Sequence, residues 1–158
     1  MKPSVRVAVW MVVTLVALSA CQGSQPEQQP QEEEVKMDLL VASAAFEAGD
    51  AIPVSYTCAG NDVSPPLSWS EPPAGTQSLA LIVDDPDAPV GTWVHWVMFN
   101  IPASFQSLPE DVPRDQDVEG VGTHGANSWR RPGYGGPCPP RGPAHRYVFK
   151  VYALDTTL

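Results

Sequence analysis

Four side chains in this sequence carry groups able to do acid–base or hydrogen-bond chemistry, and they come from three separate stretches. Asp85 lies in VDDPDAP, residues 83–89, His95 lies in TWVHW, and His145 and Tyr147 close the run GYGGPCPPRGPAHRY, residues 133–147. An imidazole that gives one nitrogen to a carboxylate has its tautomer fixed and its second nitrogen available for a ligand. Asp85 suits that orienting role and is also able to accept from an ammonium group, while Tyr147 offers a hydroxyl donor. Each such bond counts for more in a partly dry pocket than in water. VDDPDAP alone reads as an Asx-turn on a solvated loop, with Asp84, Asp85 and Asp87 as its acids. Pro86 and Pro89 restrict the residues before them, so Asp85 points in a fixed direction.

The elements that carry these groups read as strands. Leu39–Val41, the alternating Ile52–Thr57, Leu79–Val83, WVHWVMFNI (93–101) and YVFKVYAL (147–154) are β-branched and aromatic, with turn residues between them. No stretch of ten or more residues beyond the N-terminal leader shows helical spacing. The pattern is all-β, a sandwich or barrel. WVHWVMFNI and YVFKVYAL are apolar at nearly every position, which predicts two central strands covered on both faces. His95 then falls in phase with Val97 and Phe99, and His145 with Tyr147 and Phe149. In GYGGPCPPRGPAHRY eight of fifteen residues are Gly or Pro. Such a loop takes a fixed path, and its backbone N–H groups are candidate donors except at the prolines, which have none.

The chain ends bound the rest. Lys2 and Arg6 precede an apolar run from Val7 to Leu18, too short to span a bilayer and right for an export signal. Leu18-Ser19-Ala20-Cys21 resembles a bacterial lipobox, which implies cleavage before Cys21 and lipidation there. Residues 21–36 are rich in Gln, Glu and Pro and read as a lipid-anchored disordered tether. The domain is residues 37–158, with fourteen Asp and Glu against six Lys and Arg; the whole chain carries −9. No basic nucleic-acid footprint is present. In an exported compartment Cys58 and Cys138 either form a bridge or remain two buried thiols.

Other chemistries fit less well. His95, His124 and His145 lack the spacing of a His-only zinc site, and His124 sits in a polar stretch, THGAN. There is no GxSxG, and Ser128 has no base beside it in sequence.

YTCAGNDVSPPLSW (56–69), DPDAP, TWVHW, GYGGPCPPRG and HRYVFKVYAL, in that order from about residue 39 to 158, resemble the phosphatidylethanolamine-binding protein family, in its bacterial Raf-kinase-inhibitor-like branch. The resemblance implies a β-sandwich around a central antiparallel sheet with Greek-key connections. It implies a small pocket for phosphate, acetate or a phospholipid headgroup, formed by Asp85, His95, Pro139, Pro140, His145 and Tyr147. It further implies binding rather than turnover, with no cofactor and no metal. The alternative it leaves is a protein-interaction module that inhibits a protease or kinase-like partner. Such families continue past YALD with a helix and a closing strand, so residues 37–158 are read as C-terminally incomplete. The expected setting is an exported, membrane-anchored bacterial lipoprotein.

Overall fold

The computed structural model describes residues 39–158. The export signal, Cys21 and the tether lie outside the described residues. Among the described residues eight strands form: β1 (Val41–Ala42), β2 (Leu67–Trp69), β3 (Ser78–Asp85), β4 (Trp93–Pro102), β5 (Ser107–Leu108), β6 (Asp117–Val118), β7 (Gly122–His124) and β8 (Val148–Leu154). They make two antiparallel sheets, one in the order β1-β2-β5 and one in the order β6-β7-β4-β3-β8. β8 comes from the far end of the chain to pair with β3, a non-sequential return of Greek-key character.

The core lies where alternate residues of the sheets meet. Leu67 and Trp69 of β2 cluster with Leu79, Leu81 and Val83 of β3 and with Trp96 and Met98 of β4. The two-residue period of a strand places these residues on one face. β-Bulges interrupt the β3–β4 register between Leu79 and Leu81 and between Val83 and Asp84. Such bulges raise local twist and re-aim side chains next to functional sites.

Two expectations about the strands need correction. β4 is central, flanked by β7 and β3, as its continuous apolar run predicts. β8 is an edge strand among the described residues, and none of its residues is fully buried. Phe149, Val151 and Ala153 pack on the core, while Val148 and Tyr152 face solvent. Its apolar outer positions had concealed this ordinary alternation. Ile52–Thr57 is not a strand either: Val54–Tyr56 is one turn of 3-10 helix, entered through Pro53 and closed by the Tyr56 N–H on the Pro53 carbonyl at 2.9 Å. A proline lacks the N–H that a ladder would need, and its fixed φ suits the entry to a helical turn.

Candidate functional site

The site forms at one end of the five-stranded sheet because three neighbouring strands end or begin there. β3 ends at Asp85, opposite Trp93, the first residue of β4, and β8 begins at Val148, opposite Asp84. Antiparallel neighbours put the carboxyl end of β3 beside the amino ends of β4 and β8. Asp85, His95 and the residues just before β8 are therefore gathered by topology alone. A fourth segment is tied to the same end: the Ser128 N–H donates to the Val94 carbonyl at 2.9 Å and the Val94 N–H to Ser128 Oγ at 2.8 Å. That tie delivers the neighbouring Trp129.

The aspartates of VDDPDAP have separate partners. Asp85 is buried; its Oδ1 accepts the Asp87 N–H at 2.9 Å and its Oδ2 accepts from His145 Nδ1 at 2.7 Å. It makes the Asx-turn that VDDPDAP alone predicts and also orients a histidine, but it does so inside the protein rather than on a solvated loop. Asp87 takes the Arg146 backbone N–H, Nε and a terminal guanidinium nitrogen at 2.8, 2.9 and 2.7 Å. Those bonds hold the Asp87 carboxyl well below the usual carboxylate range. Asp84 pairs with Lys150 across to β8, which raises the lysine. The acidic turn is thus stapled to His145 and Arg146 just before β8 and to Lys150 within it.

His95 is oriented differently from the sequence expectation. Its Nδ1 lies 2.7 Å from the Gly135 carbonyl, and the Gly135 N–H returns a bond to the His95 carbonyl at 3.0 Å. A carbonyl only accepts, so Nδ1 carries the proton. The orienting group is a backbone oxygen rather than Asp85. Burial pushes the His95 pKa down, with the Gly135 carbonyl opposing. The Gly-rich run does not supply free backbone donors at Gly135 or Gly136, since the Gly136 N–H is held by Asp62 Oδ1 at 2.7 Å. Its glycines serve close approach. A Cβ on Gly135 would come within 2.6 Å of the Trp129 ring, and one on Gly136 within 2.6 Å of the Tyr56 carbonyl.

Aromatic rings close the walls. Tyr147 and Trp129 both meet the His95 ring edge-on, at 5.2 and 5.0 Å between centroids, and Trp129 meets Trp93 at 5.4 Å. The Tyr147 hydroxyl is buried without a hydrogen-bond partner. Burial and then the Asp85 charge push its pKa up to about 12, so it remains a protonated donor. Pro139 and Pro140 complete the rim. Cys138 beside them is joined to Cys58 by a disulfide, and both residues are exposed, which rules out two separate buried thiols.

These groups border a cavity of about 300 Å³, and all six residues named from the sequence line it: Asp85, His95, Pro139, Pro140, His145 and Tyr147. A larger, mostly apolar groove of about 760 Å³ adjoins it, sharing Cys138, Pro139, His145 and Tyr147. The convergent polar chemistry belongs to the smaller one. Sequence reasoning missed Trp93 and Trp129 as walls. Trp93 was signalled only by its place beside His95, and Trp129 by nothing local. His124 does not reach the site. It is fully buried at the end of β7, not in a polar loop, where its Nδ1 accepts from Trp96 Nε1 and its Nε2 donates to the Pro113 carbonyl, both at 3.0 Å.

Residues 42–158 match the family model of the phosphatidylethanolamine-binding proteins. The chain belongs to this family. A UPF0098 protein of Aquifex aeolicus is 52% identical over 118 residues, spanning 74% of this chain and 68% of that protein. The lipoprotein LppC of Mycobacterium tuberculosis is 45% identical over 123 residues, spanning 76% of this chain and 57% of that one. Among solved structures, the Escherichia coli family member YbcL superimposes with a TM-score of 0.70 at 40% identity, covering 76% of this chain and 79% of its own. The homologue CT736 of Chlamydia trachomatis gives 0.68 at 39% identity, covering 77% and 78%. The family relationship rests on sequence and fold together, and one of these relatives carries the word lipoprotein in its name.

Proposed function

We propose that this domain is an anion-binding module that takes a phosphate-type oxyanion, free or as a headgroup, without turning it over. One observation carries the reading: a buried tyrosine hydroxyl with no partner, at a cavity lined by two imidazoles that each have one nitrogen engaged. An unsatisfied buried hydroxyl costs about 1–3 kcal/mol, and a ligand oxygen in the cavity relieves that cost. The volume suits a headgroup and not acyl chains. Asp85 acts as the orienter of His145, since both its oxygens are already engaged within the protein. We place the domain on an exported lipoprotein anchored through Cys21, with residues 21–36 as tether and the membrane as its neighbour; the lipobox-like leader and the LppC likeness support this. The alternative, a module that inhibits a protease or kinase-like partner, draws on no feature of this geometry.

The test is a titration of the full chain with inorganic phosphate, followed by the NMR signals of its three histidines. His95 and His145 should move together while His124 stays still. No response at millimolar phosphate would sink the reading.

A further inference from the structure

The cavity that lines up as an anion site has an unusual charge balance. Its lining contains the carboxylate of Asp85 and no lysine or arginine. Of the cations nearby, Arg146 is clamped by Asp87, Arg114 pairs with Asp62, Lys150 pairs with Asp84 and Arg131 lies over the Trp129 ring, while Arg130 and Arg141, which follow Trp129 and Pro140 in the chain, do not line the cavity. The chain as a whole carries −9. A fully ionised oxyanion entering here would meet no lysine or arginine in the lining.

The hydrogen-bond directions sharpen the point. His95 Nδ1–H faces the Gly135 carbonyl and His145 Nδ1–H faces the Asp85 carboxylate. A neutral imidazole whose Nδ1 carries the proton has a bare lone pair on Nε2. Neither Nε2 has a partner among the described residues. Two nitrogens with no protein partner thus border the cavity, together with one hydroxyl donor, Tyr147. A bare phosphate or sulfate oxygen placed against the Nε2 of a neutral ring sets lone pair against lone pair. A P–OH group placed there makes a hydrogen bond, while the Tyr147 hydroxyl donates to another oxygen of the same group. Moving the proton from the ligand to an Nε2 leaves the proton count unchanged.

We propose that the pocket takes its oxyanion together with one proton, so that its ligand class is phosphate monoesters and free phosphate, with phosphate diesters and sulfate esters poorly bound. This deepens the anion-site reading and rests on it. The groups facing His95 agree. Its flanks are the Trp129 and Tyr147 rings, its ring bond is to Gly135 on the adjoining loop, and the charges about it are the carboxylates of Asp85 and, farther off, Asp62. Burial outweighs those carboxylates and pushes the ring's pKa below its ordinary value near 6.5, so the ring is neutral at pH 8. A phosphate monoester loses its second proton near pH 6, so at pH 8 it enters from solution almost wholly as a dianion and must gather the proton as it binds, about one per site.

The source of the ligand follows from the same chemistry. The headgroup of an intact phospholipid is a diester with no P–OH to give. A soluble monoester, such as a headgroup released from its lipid, has one. The decisive experiment is calorimetric titration of the full chain at about pH 8 with methyl phosphate, methyl sulfate and dimethyl phosphate, in buffers of different ionisation enthalpy. Methyl phosphate should take up about one proton per site and bind at least about tenfold more tightly than the other two. Methyl sulfate should gain affinity as the pH is lowered, because a protonated histidine adds a donor to that of Tyr147. Methyl phosphate binding with no proton uptake would overturn the inference while leaving the anion site standing. Dimethyl phosphate binding as tightly as the monoester would overturn it and return intact lipid as the ligand. A chain whose histidines ignore phosphate altogether loses both the site and this inference.

Discussion

His124 and His95 are almost equally hidden from solvent, at 0% and 3% exposed, yet they do different work. At His124 both ring nitrogens are engaged, by the Trp96 indole and the Pro113 carbonyl, and the ring acts as a bolt between β4, β7 and the segment before β6. At His95, and likewise at His145, one nitrogen is fixed by the protein and the other is left over. The lesson is that burial of a histidine does not mark a site. An unengaged nitrogen beside an unpartnered hydroxyl does, because folded proteins seldom leave buried polar groups unmatched.

The comparison can be broken at either end. The largest effect should come from His124→Ala, which strips the partner from a buried indole N–H and a buried carbonyl and opens a cavity; we expect a loss of about 3 kcal/mol or more. Urea unfolding measures it, and the phosphate response of His95 and His145 in the folded variant should persist. A loss below about 1 kcal/mol would make His124 no bolt. Next comes His95→Ala, expected to weaken methyl phosphate binding by about tenfold or more by calorimetry, with a smaller change in unfolding than at His124. If affinity holds and stability collapses, the two histidines have the same role and the contrast fails.

The smallest effect is in the pH dependence. Burial lowers the His95 pKa in the folded state below its unfolded value near 6.5. The unfolded chain then binds more protons in that range, so the stability this ring contributes is complete above pH 6.5 and declines as the pH falls through the folded value. The drop in stability on acidification should therefore be steeper in the wild type than in His95→Ala, and phosphate should flatten it in the wild type alone. Equal slopes would mean that the folded ring titrates as it does in the unfolded chain.

Much of the site was legible because its residues are adjacent to strand ends and prolines in the sequence. Asp85 closes an apolar run and precedes Pro86, and His145 and Tyr147 precede another run. Reading those runs as strands was enough to suggest that their ends meet. The partner of His95 was not legible, since Gly135 acts through its carbonyl and every residue has one. Trp129 was not legible because its place is set by Ser128 bonding to Val94, a contact between distant segments. The strand ends were recovered within a residue or two for β3, β4 and β8. The smaller sheet was poorly seen because β2 and β5 are too short to show a period. The edge position of β8 was hidden by apolar side chains on its open face, a pattern that local sequence shares with a central strand.

The Cys58–Cys138 bridge has one more consequence. It joins the turn after Val54–Tyr56 to the proline wall, where the Cys58 N–H also donates to the Pro137 carbonyl at 3.1 Å. Such a covalent tie persists where thiols are oxidised and is lost where they are kept reduced. With both cysteines exposed, nothing in the fold shields the bond from either condition. Completion of the pocket is therefore a matter of address: a copy held in a reducing compartment has its wall hung on hydrogen bonds, and only a copy that has left it has the wall locked. The same sequence has a looser pocket wall where thiols are reduced and a fixed one where they are oxidised.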